Sequence, residues 1–223
     1  MRDLPPPARA ALEALVDMLA SERDAPSAVR EPQEAWLVHV ADSLVGVELG
    51  ELVTAEAIAD VGSGAGLPGL VLAAALPGAR VDLIESVGRK CDFMRRAVDR
   101  MGIDNARVVC ERSENWSAGD GREAYDAVTV RAVGRLATIA ELASPLLREG
   151  GAVVAWKGRR DADEEAELER AAPRLAIEPV EVRWVGPYAG SRHRHLHLMR
   201  KAGPTPSELP RRPGLAKKRP LGG

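Results

Sequence analysis

The spacing of hydrophobic residues separates a helical N-terminal region from a longer region in which strands and helices alternate. Residues 8–20 carry leucine and valine on one helical stripe, and a second helix is predicted to begin near Pro32. From residue 57 onward, short apolar runs are separated by segments of helix length. Because helices that join parallel strands form right-handed crossovers, the pattern predicts an α/β fold with a doubly wound, mostly parallel sheet.

The alternating region predicts five parallel strands and a closing hairpin. The strands are expected over residues 57–61, 80–85, 107–110, 125–130 and 152–156, with helices ending near Ala75 and spanning 89–101 and 136–147. Residues 178–185 and 193–200 are expected to form a hairpin at one edge of the sheet. The charged stretch 159–170 predicts a helix whose acids lie on a solvated face.

Three regions follow from these elements: a helical N-terminal cap over 1–50, a main domain over 51–201 and a basic tail over 202–223. The tail is rich in proline and glycine and offers few apolar side chains, so we expect it to be mobile until it binds a partner. The formal net charge is -2, yet residues 200–223 hold seven basic residues against the single acid Glu208. An acidic protein with a basic tail suggests an anionic partner that is contacted locally.

The cysteines and the apolar runs indicate where the protein acts. Cys91 and Cys110 are the only cysteines, and without a CxxC or ligand pattern they are interpreted as reduced core thiols. The chain shows no apolar run long enough to cross a bilayer, and its N-terminus lacks the hydrophobic region of a signal peptide. We therefore expect a cytoplasmic protein without a membrane segment.

The main chemical motif is a glycine-rich loop directly after the first predicted strand. Residues 60–69 read DVGSGAGLPG. Glycine permits positive φ and lets a ligand approach the bare backbone. Two acids flank this loop, Asp60 at the end of the first strand and Glu85 at the end of the second. An acid in the second position is placed to accept hydrogen bonds from both hydroxyls of an adenosine ribose.

Asp60 distinguishes between two cofactor classes that share this arrangement. A carboxylate beside the loop is unfavourable for the pyrophosphate of a dinucleotide but suits the ammonium of a methionine moiety. The D-x-G-x-G-x-G pattern therefore favours S-adenosylmethionine, with S-adenosylhomocysteine as product, over NAD. The alternative without function is a glycine turn that serves only close packing.

The segment after the fourth predicted strand narrows the type of methyl transfer. It reads Val130-Arg131-Ala132-Val133, without the Asn/Asp-Pro-Pro-aromatic segment of amine methyltransferases, the Pro-Cys nucleophile of pyrimidine C5 enzymes or a carboxylate cluster for a metal. An arginine fits guanine N7, whose free lone pair makes a general base unnecessary. Arg131 is expected to hold the guanine edge or a phosphate, and a salt bridge to a nearby acid is the alternative.

Several motifs together resemble a known family. They are HVADSL (39–44), DVGSGAGLPG (60–69), LIESVGRK (83–90), VRAVGRLA (130–137), WKG (156–158), RHL (194–196) and LPRRPGLAKKRPL (209–221). This combination is similar to the RsmG (GidB) family of 16S rRNA guanine-N7 methyltransferases, over nearly the whole chain. The resemblance implies the class I S-adenosylmethionine methyltransferase fold with a helical N-terminal extension, and 16S rRNA of the small ribosomal subunit as the partner. We expect the protein to be a monomer, although the sequence does not determine the oligomeric state.

Site residues are assigned by motif, with Glu85 standing where the family more often has Asp. The residues expected to contact the cofactor are Asp60, Gly62, Ser63, Gly64, Gly66, Leu67, Glu85, Ser113, Glu114 and Arg131. The residues expected to contact RNA are Arg131, Lys157, Arg159, Arg160, His195, Arg211, Arg212, Lys217, Lys218 and Arg219. No residue is required as a general base.

The histidines and two rival functions complete the interpretation. His193, His195 and His197 alternate, but residues i and i+4 of a strand lie about 13 Å apart, so we expect no metal site. His39 is interpreted as a hydrogen-bonded buried residue of the cap rather than part of the site. A small-molecule methyltransferase and a non-catalytic RNA-binding module stay open as alternatives, although the first leaves the basic tail unexplained and the second leaves the intact loop unexplained.

Overall fold

The computed structural model describes residues 4–222 and contains one seven-stranded sheet. Its strands are β1 (Ala57–Val61), β2 (Arg80–Ile84), β3 (Ala106–Val109), β4 (Tyr125–Arg131), β5 (Leu147–Lys157), β6 (Ile177–Trp184) and β7 (His195–Lys201). The order across the sheet is β3-β2-β1-β4-β5-β7-β6. Strands β1 to β5 pair in parallel, and β7 runs antiparallel to both of its neighbours. The predicted fold class, with its closing hairpin at one edge, is confirmed.

The order of the strands reverses between β1 and β4, so the crossovers on either side of this point run to opposite edges of the sheet. In open α/β sheets, ligands bind in the crevice that such a reversal opens at the carboxyl ends of the strands. The central strands β1, β4 and β5 are buried on both faces, which explains why they read as continuous apolar runs and not as alternating patterns.

The helices are α1 (Pro6–Ser21), α2 (Pro32–Ala35), α3 (Asp42–Leu44), α4 (Gly50–Val53), α5 (Gly69–Ala75), α6 (Gly88–Met101), α7 (Ser113–Trp116), α8 (Leu136–Ala143), α9 (Ala162–Leu175) and α10 (Leu215–Lys218). The first of them, α1, begins at a proline and buries Leu12, Leu15 and Leu19 completely while it packs against α5 and α6. Within residues 4–222, no helix is both long and apolar enough to cross a membrane.

The second predicted helix begins at Pro32 as expected but is not a regular α-helix. A π-helical segment, Trp36–Ala41, separates α2 from α3. A π turn inserts an extra residue and shifts the phase of the side chains that follow it, which an apolar spacing of three to four residues does not reveal. The insertion lies beside functional candidates, since the π segment contains His39 and leads directly into Asp42.

The expectation that the tail is mobile is wrong, because its described residues pack on the domain. Leu209, Ala216 and Leu221 are buried. The guanidinium of Arg211 makes two hydrogen bonds of 2.6 Å to the carboxylate of the buried Glu141 on α8. Isolated apolar side chains anchor the tail together with ion pairs such as Arg211–Glu141 and Arg174–Glu208, so no periodic pattern in the sequence indicates that it is folded.

Two acids of α9 also differ from the expected solvated face. Glu164 and Glu167 are buried, and they pair with Lys157 and Arg135 respectively. The reason is that α9 packs against α8 and β6, which turns these two positions inward. The other acids in the first turn of α9, Asp163 and Glu165, are more accessible to solvent, and their negative charges stabilise the positive N-terminal end of the helix.

The interpretation of the cysteines as reduced thiols is contradicted as well. Cys91 and Cys110 are joined in a disulfide, with their Cα atoms 5.8 Å apart. Cys91 lies in the first turn of α6 and Cys110 directly after β3, so the crossover from β2 through α6 to β3 returns the chain to the same end of the sheet. Their separation of 19 residues in sequence conceals this proximity.

Candidate active site

The glycine loop leaves β1 at the carboxyl end of the sheet and leads into α5. The amides of Gly62 and Ser63 both donate to the carbonyl of Ile84 at the end of β2, at 2.9 and 3.2 Å. Gly62 and Gly64 have φ angles of +70° and +61°, which favour glycine. A Cβ on Gly62 would lie only 2.6 Å from Cγ2 of Val133. The sequence thus produces a tight loop with exposed backbone at the point where the strand order reverses.

Asp60, at the end of β1, holds the glycine loop through hydrogen bonds of its buried carboxylate. Its side chain is fully buried, and its two oxygens accept hydrogen bonds from the Thr129 hydroxyl at 2.9 Å and the Gly69 amide at 3.1 Å. Burial raises the pKa of Asp60 to about 6, and the hydrogen bonds from its neighbours limit the rise. The sequence pattern suggested that Asp60 faces a ligand ammonium, whereas the structure directs both of its oxygens to protein groups.

Glu85 connects the glycine loop with the segment between β2 and α6. One carboxylate oxygen accepts from the amides of Ser86 and Val87 at 2.8 and 3.0 Å. The other accepts from the amide of Gly64 at 3.2 Å and lies 3.5 Å from Nζ of Lys90. Its side chain is therefore oriented before any ligand binds, at the end of the second strand where a ribose is expected.

A cavity of about 500 Å³, which we name the loop pocket, opens beside Glu85. Its lining includes Gly62, Glu85, Ser113 and Glu114, and also the tail residues Gly214, Ala216, Lys217 and Lys218. The volume falls in the range of small-molecule sites. The loop pocket thus brings together four of the residues that were expected to contact a cofactor. That the tail borders this pocket was not predicted from the sequence.

A second cavity of about 410 Å³ lies next to the first, and we name it the arginine pocket. Among the residues that line it are His39, Asp42, Arg131, Trp156, Lys157, Arg194 and His195. Ala132, which directly follows β4, lines both pockets. Two ligands bound in these pockets would therefore lie on either side of the end of β4.

Asp42 holds the two arginines of the arginine pocket. Its carboxylate lies 3.2 Å from Nη1 of Arg131 and 3.4 Å from Nε of Arg194. The indole nitrogen of Trp156 donates to the backbone carbonyl of Asp42 at 2.8 Å. The salt bridge that was the alternative for Arg131 is thus present, and it fixes the guanidinium at the pocket wall. Asp42 and Arg194 were not singled out as site residues, although both lie in motifs of the family resemblance.

Comparison with known proteins decides the family. Residues 10–196 match the family GidB, described as rRNA small subunit methyltransferase G. The chain belongs to this family. It is 41% identical to ribosomal RNA small subunit methyltransferase G of Rubrobacter xylanophilus, an alignment that covers 87% of this chain and 76% of the relative. The protein of the same name from Pelotomaculum thermopropionicum is 37% identical, with 87% and 82% covered.

Solved structures agree with the fold of this family member. A 1,6-didemethyltoxoflavin-N1-methyltransferase of Burkholderia thailandensis, solved with S-adenosylhomocysteine, superimposes with a TM-score of 0.54. The two chains share 20% sequence identity, and the match covers 91% of this chain and 93% of the other. At this identity the likeness supports a methyltransferase fold but does not identify the substrate, which has to be inferred from the site.

His39 has a different environment in this methyltransferase from the one we expected. It borders the arginine pocket, and its Nε2 lies 2.9 Å from the Ser27 hydroxyl. Its Nδ1 is buried and has no hydrogen-bond partner within residues 4–222. Burial, and then the charge of Arg131, lowers the pKa of His39 to about 4, so the imidazole is neutral at physiological pH.

The residues proposed to contact RNA fall into two groups in the methyltransferase. Lys157 is held by the Glu164 carboxylate at 2.6 Å and by the Gly134 carbonyl at 2.9 Å, and Arg211 is held by Glu141. His195 borders the arginine pocket, with Nδ1 2.8 Å from the Gly158 carbonyl. The exposed residues are Arg159, Arg160, Arg212, Lys217, Lys218 and Arg219. Of these, Arg160 also makes two hydrogen bonds, of 2.8 and 2.6 Å, to the carboxylate of Glu165.

Proposed function

We propose that this methyltransferase transfers a methyl group from S-adenosylmethionine to N7 of a guanine in 16S rRNA of the small ribosomal subunit, releasing S-adenosylhomocysteine. The observation that carries the proposal is the pair of pockets that meet at Ala132, one beside the glycine loop and one lined by arginines. A cofactor in the first and a base in the second would place the methyl donor next to its acceptor.

The loop pocket fits the cofactor. Glu85, already oriented by Gly64, Ser86 and Val87, would accept hydrogen bonds from the ribose hydroxyls. Ser113 and Glu114 would lie beside the adenine, and the glycine loop would present bare backbone to the methionine end. When bound, S-adenosylmethionine supplies an electrophilic methyl group on its sulfonium.

The arginine pocket fits a guanine that reacts at N7. The ring nitrogen carries a free lone pair, so the protein needs to orient the base and exclude water, and needs no general base. Arg131 and Arg194 would donate hydrogen bonds to the guanine O6 edge or to a phosphate, and Asp42 would keep both guanidinium groups in position. The neutral His39 adds no positive charge beside the base.

RNA around the target base requires a cationic surface beyond the pockets. Arg159 and Arg160 follow β5 at the carboxyl edge of the sheet, and Arg212 and Arg219 lie exposed on the tail. We propose that these side chains, with His195 at the pocket wall, contact the RNA backbone. We also infer a monomer that acts in the cytoplasm, because one chain contains both pockets and ribosomal subunits are assembled there.

The experiment that tests this function compares acceptors. Purified protein is incubated with methyl-labelled S-adenosylmethionine and with small subunits that lack the modification, with free guanosine as the comparison and Gly64→Val as the inactive control. We expect label in 16S rRNA only. Equal labelling of guanosine would favour a small-molecule enzyme. Cofactor binding without transfer to any acceptor would favour a non-catalytic RNA-binding module.

A further inference from the structure

The tail crosses the domain as a strap, which we define as residues 205–222. Its start is fixed where the amide of Thr205 donates to Glu123 at 3.0 Å. Its middle is fixed by the ion pair between Arg211 and Glu141. Its end is fixed where Arg170 on α9 donates to the carbonyl of Gly222 at 2.9 Å. The strap is therefore tied to the domain at its start, in its middle and at its end.

The short helix α10 brings the strap to the loop pocket. The amide of Gly214 donates to one oxygen of Glu114 at 2.7 Å, and Ser113 donates to the other at 3.3 Å. The Thr138 hydroxyl on α8 donates to the carbonyl of Ala216 at 3.2 Å, which fixes α10 against α8. These contacts place the single turn of α10 across the pocket.

The position of the strap matches one end of the expected ligand. Glu85 marks the ribose, and the adenine would extend from there toward Ser113 and Glu114 at the start of α7. Gly214 and Ala216 line the pocket at that end, together with Lys217 and Lys218. An adenine ring is flat and uncharged, so a methyl group, backbone and the aliphatic stems of lysines are suitable to cover it.

We propose that the strap forms the outer wall of the cofactor pocket and determines how tightly the adenosine part of the cofactor is held. The inference rests on the proposed function for the identity of the ligand. Arg211 serves the strap as an anchor, since its side chain is 18% exposed and its partner Glu141 is 3% exposed. A residue that contacts phosphate would instead extend into solvent, as the neighbouring Arg212 does.

Two variants that each remove one positive charge distinguish an anchor of the strap from a residue that contacts RNA. Arg211→Ala releases the strap, whereas Arg212→Ala removes an exposed guanidinium from the adjacent position. Calorimetric titration of the full chain with S-adenosylhomocysteine should show an affinity about tenfold weaker for Arg211→Ala and unchanged for Arg212→Ala. Equal affinities for the wild type and both variants would overturn the proposal and favour a strap that serves RNA alone.

The unmodified protein provides a second test that does not depend on the folding of a variant. The strap contains trypsin sites after Lys217 and Lys218, at the rim of the loop pocket. Saturating S-adenosylhomocysteine should slow cleavage at these sites at least fivefold, with the sites after the exposed Arg159 and Arg160 as internal controls. Unchanged cleavage at Lys217 and Lys218, in protein that binds the ligand, would refute the proposal. Failure of the wild type to bind the ligand at all would instead refute the cofactor assignment under the proposed function.

Discussion

Substituting Asp60 by Asn should change how the stability of the protein depends on pH. Asn has nearly the same shape, and its carbonyl can accept from the Gly69 amide while its NH₂ group donates to Thr129, whose hydroxyl can also accept. The variant therefore keeps both contacts under the glycine loop but has no charge to bury. Asp60→Ala would lose both contacts and leave two buried groups unpaired, which should cost about 2–4 kcal/mol.

The magnitude follows from the raised pKa. Asp60 has a pKa of about 6 in the folded protein against the ordinary 3.8. Between these values the folded protein keeps a proton that the unfolded chain releases, so the wild type loses stability as pH rises. A difference of about two pKa units corresponds to roughly 3 kcal/mol, of which about half falls between pH 5 and pH 8. Above pH 7 the loss is complete and the curve for this group is flat.

Urea unfolding of the wild type and Asp60→Asn at pH 5, 6, 7 and 8 measures this effect. The free energy of unfolding of the variant should rise relative to the wild type by roughly 1–2 kcal/mol from pH 5 to pH 8. Taking the difference between the two proteins removes the contributions of other titrating groups, which they share. Parallel pH profiles would refute the reasoning, since Asp60 would then be ionised in both states over the whole range.

Three further substitutions test the pockets. Gly64→Val should abolish binding of S-adenosylhomocysteine in calorimetry while the circular dichroism stays native, because a β-branched residue is strained at a φ of +61°; near-normal affinity would place the cofactor elsewhere. Glu85→Ala should raise the dissociation constant of S-adenosylhomocysteine by roughly tenfold to a hundredfold, because contacts to the ribose and to the glycine loop are lost. An unchanged constant would mean that a residue other than Glu85 binds the ribose. Asp42→Ala should lower methyl transfer to small subunits by up to about a hundredfold, because Arg131 and Arg194 lose their shared partner. The cofactor affinity of this variant should stay at the wild-type value, and undiminished transfer would contradict the role of Asp42.

Much of the main domain could be predicted from the sequence because its elements are continuous and periodic. The strand at residues 57–61 has the bounds of β1, and the glycine loop follows it as expected. Hydrophobic runs, glycine positions and an acid after a strand each have a local physical cause, so they are visible in a single sequence. The right-handedness of the crossovers limits the face of the sheet on which each helix lies, but the order of the strands is known only from the structure.

The contacts that complete the site could not be predicted because they join distant parts of the chain. Arg131 and Asp42 are 89 residues apart, and Gly214 and Glu114 are 100 residues apart. Neither separation follows a sequence pattern from which the contact could be predicted. Asp60 shows a related limit, since the motif locates it beside the loop but does not determine the direction in which its side chain points.

The strap shows why composition misleads when a segment is short. Its prolines and cations are typical of mobile tails. Its stability comes from a few buried side chains and from Arg211, whose charge is matched by the buried Glu141 on another element. Charge in such a segment indicates a partner, and for Arg211 that partner is within the same chain, whereas Arg212 and Arg219 stay exposed.

The central claim is that N7 of a guanine in small-subunit rRNA receives the methyl group, and one measurement tests it directly. 16S rRNA from cells with and without this protein is digested, and its methylated guanosines are mapped and quantified by mass spectrometry. The account predicts that one 7-methylguanosine disappears from the rRNA when the protein is absent and returns when the wild type, but not Gly64→Val, is restored. Loss of an exocyclic-amine or C5 methyl group, or an unchanged set of modified nucleosides, would contradict it.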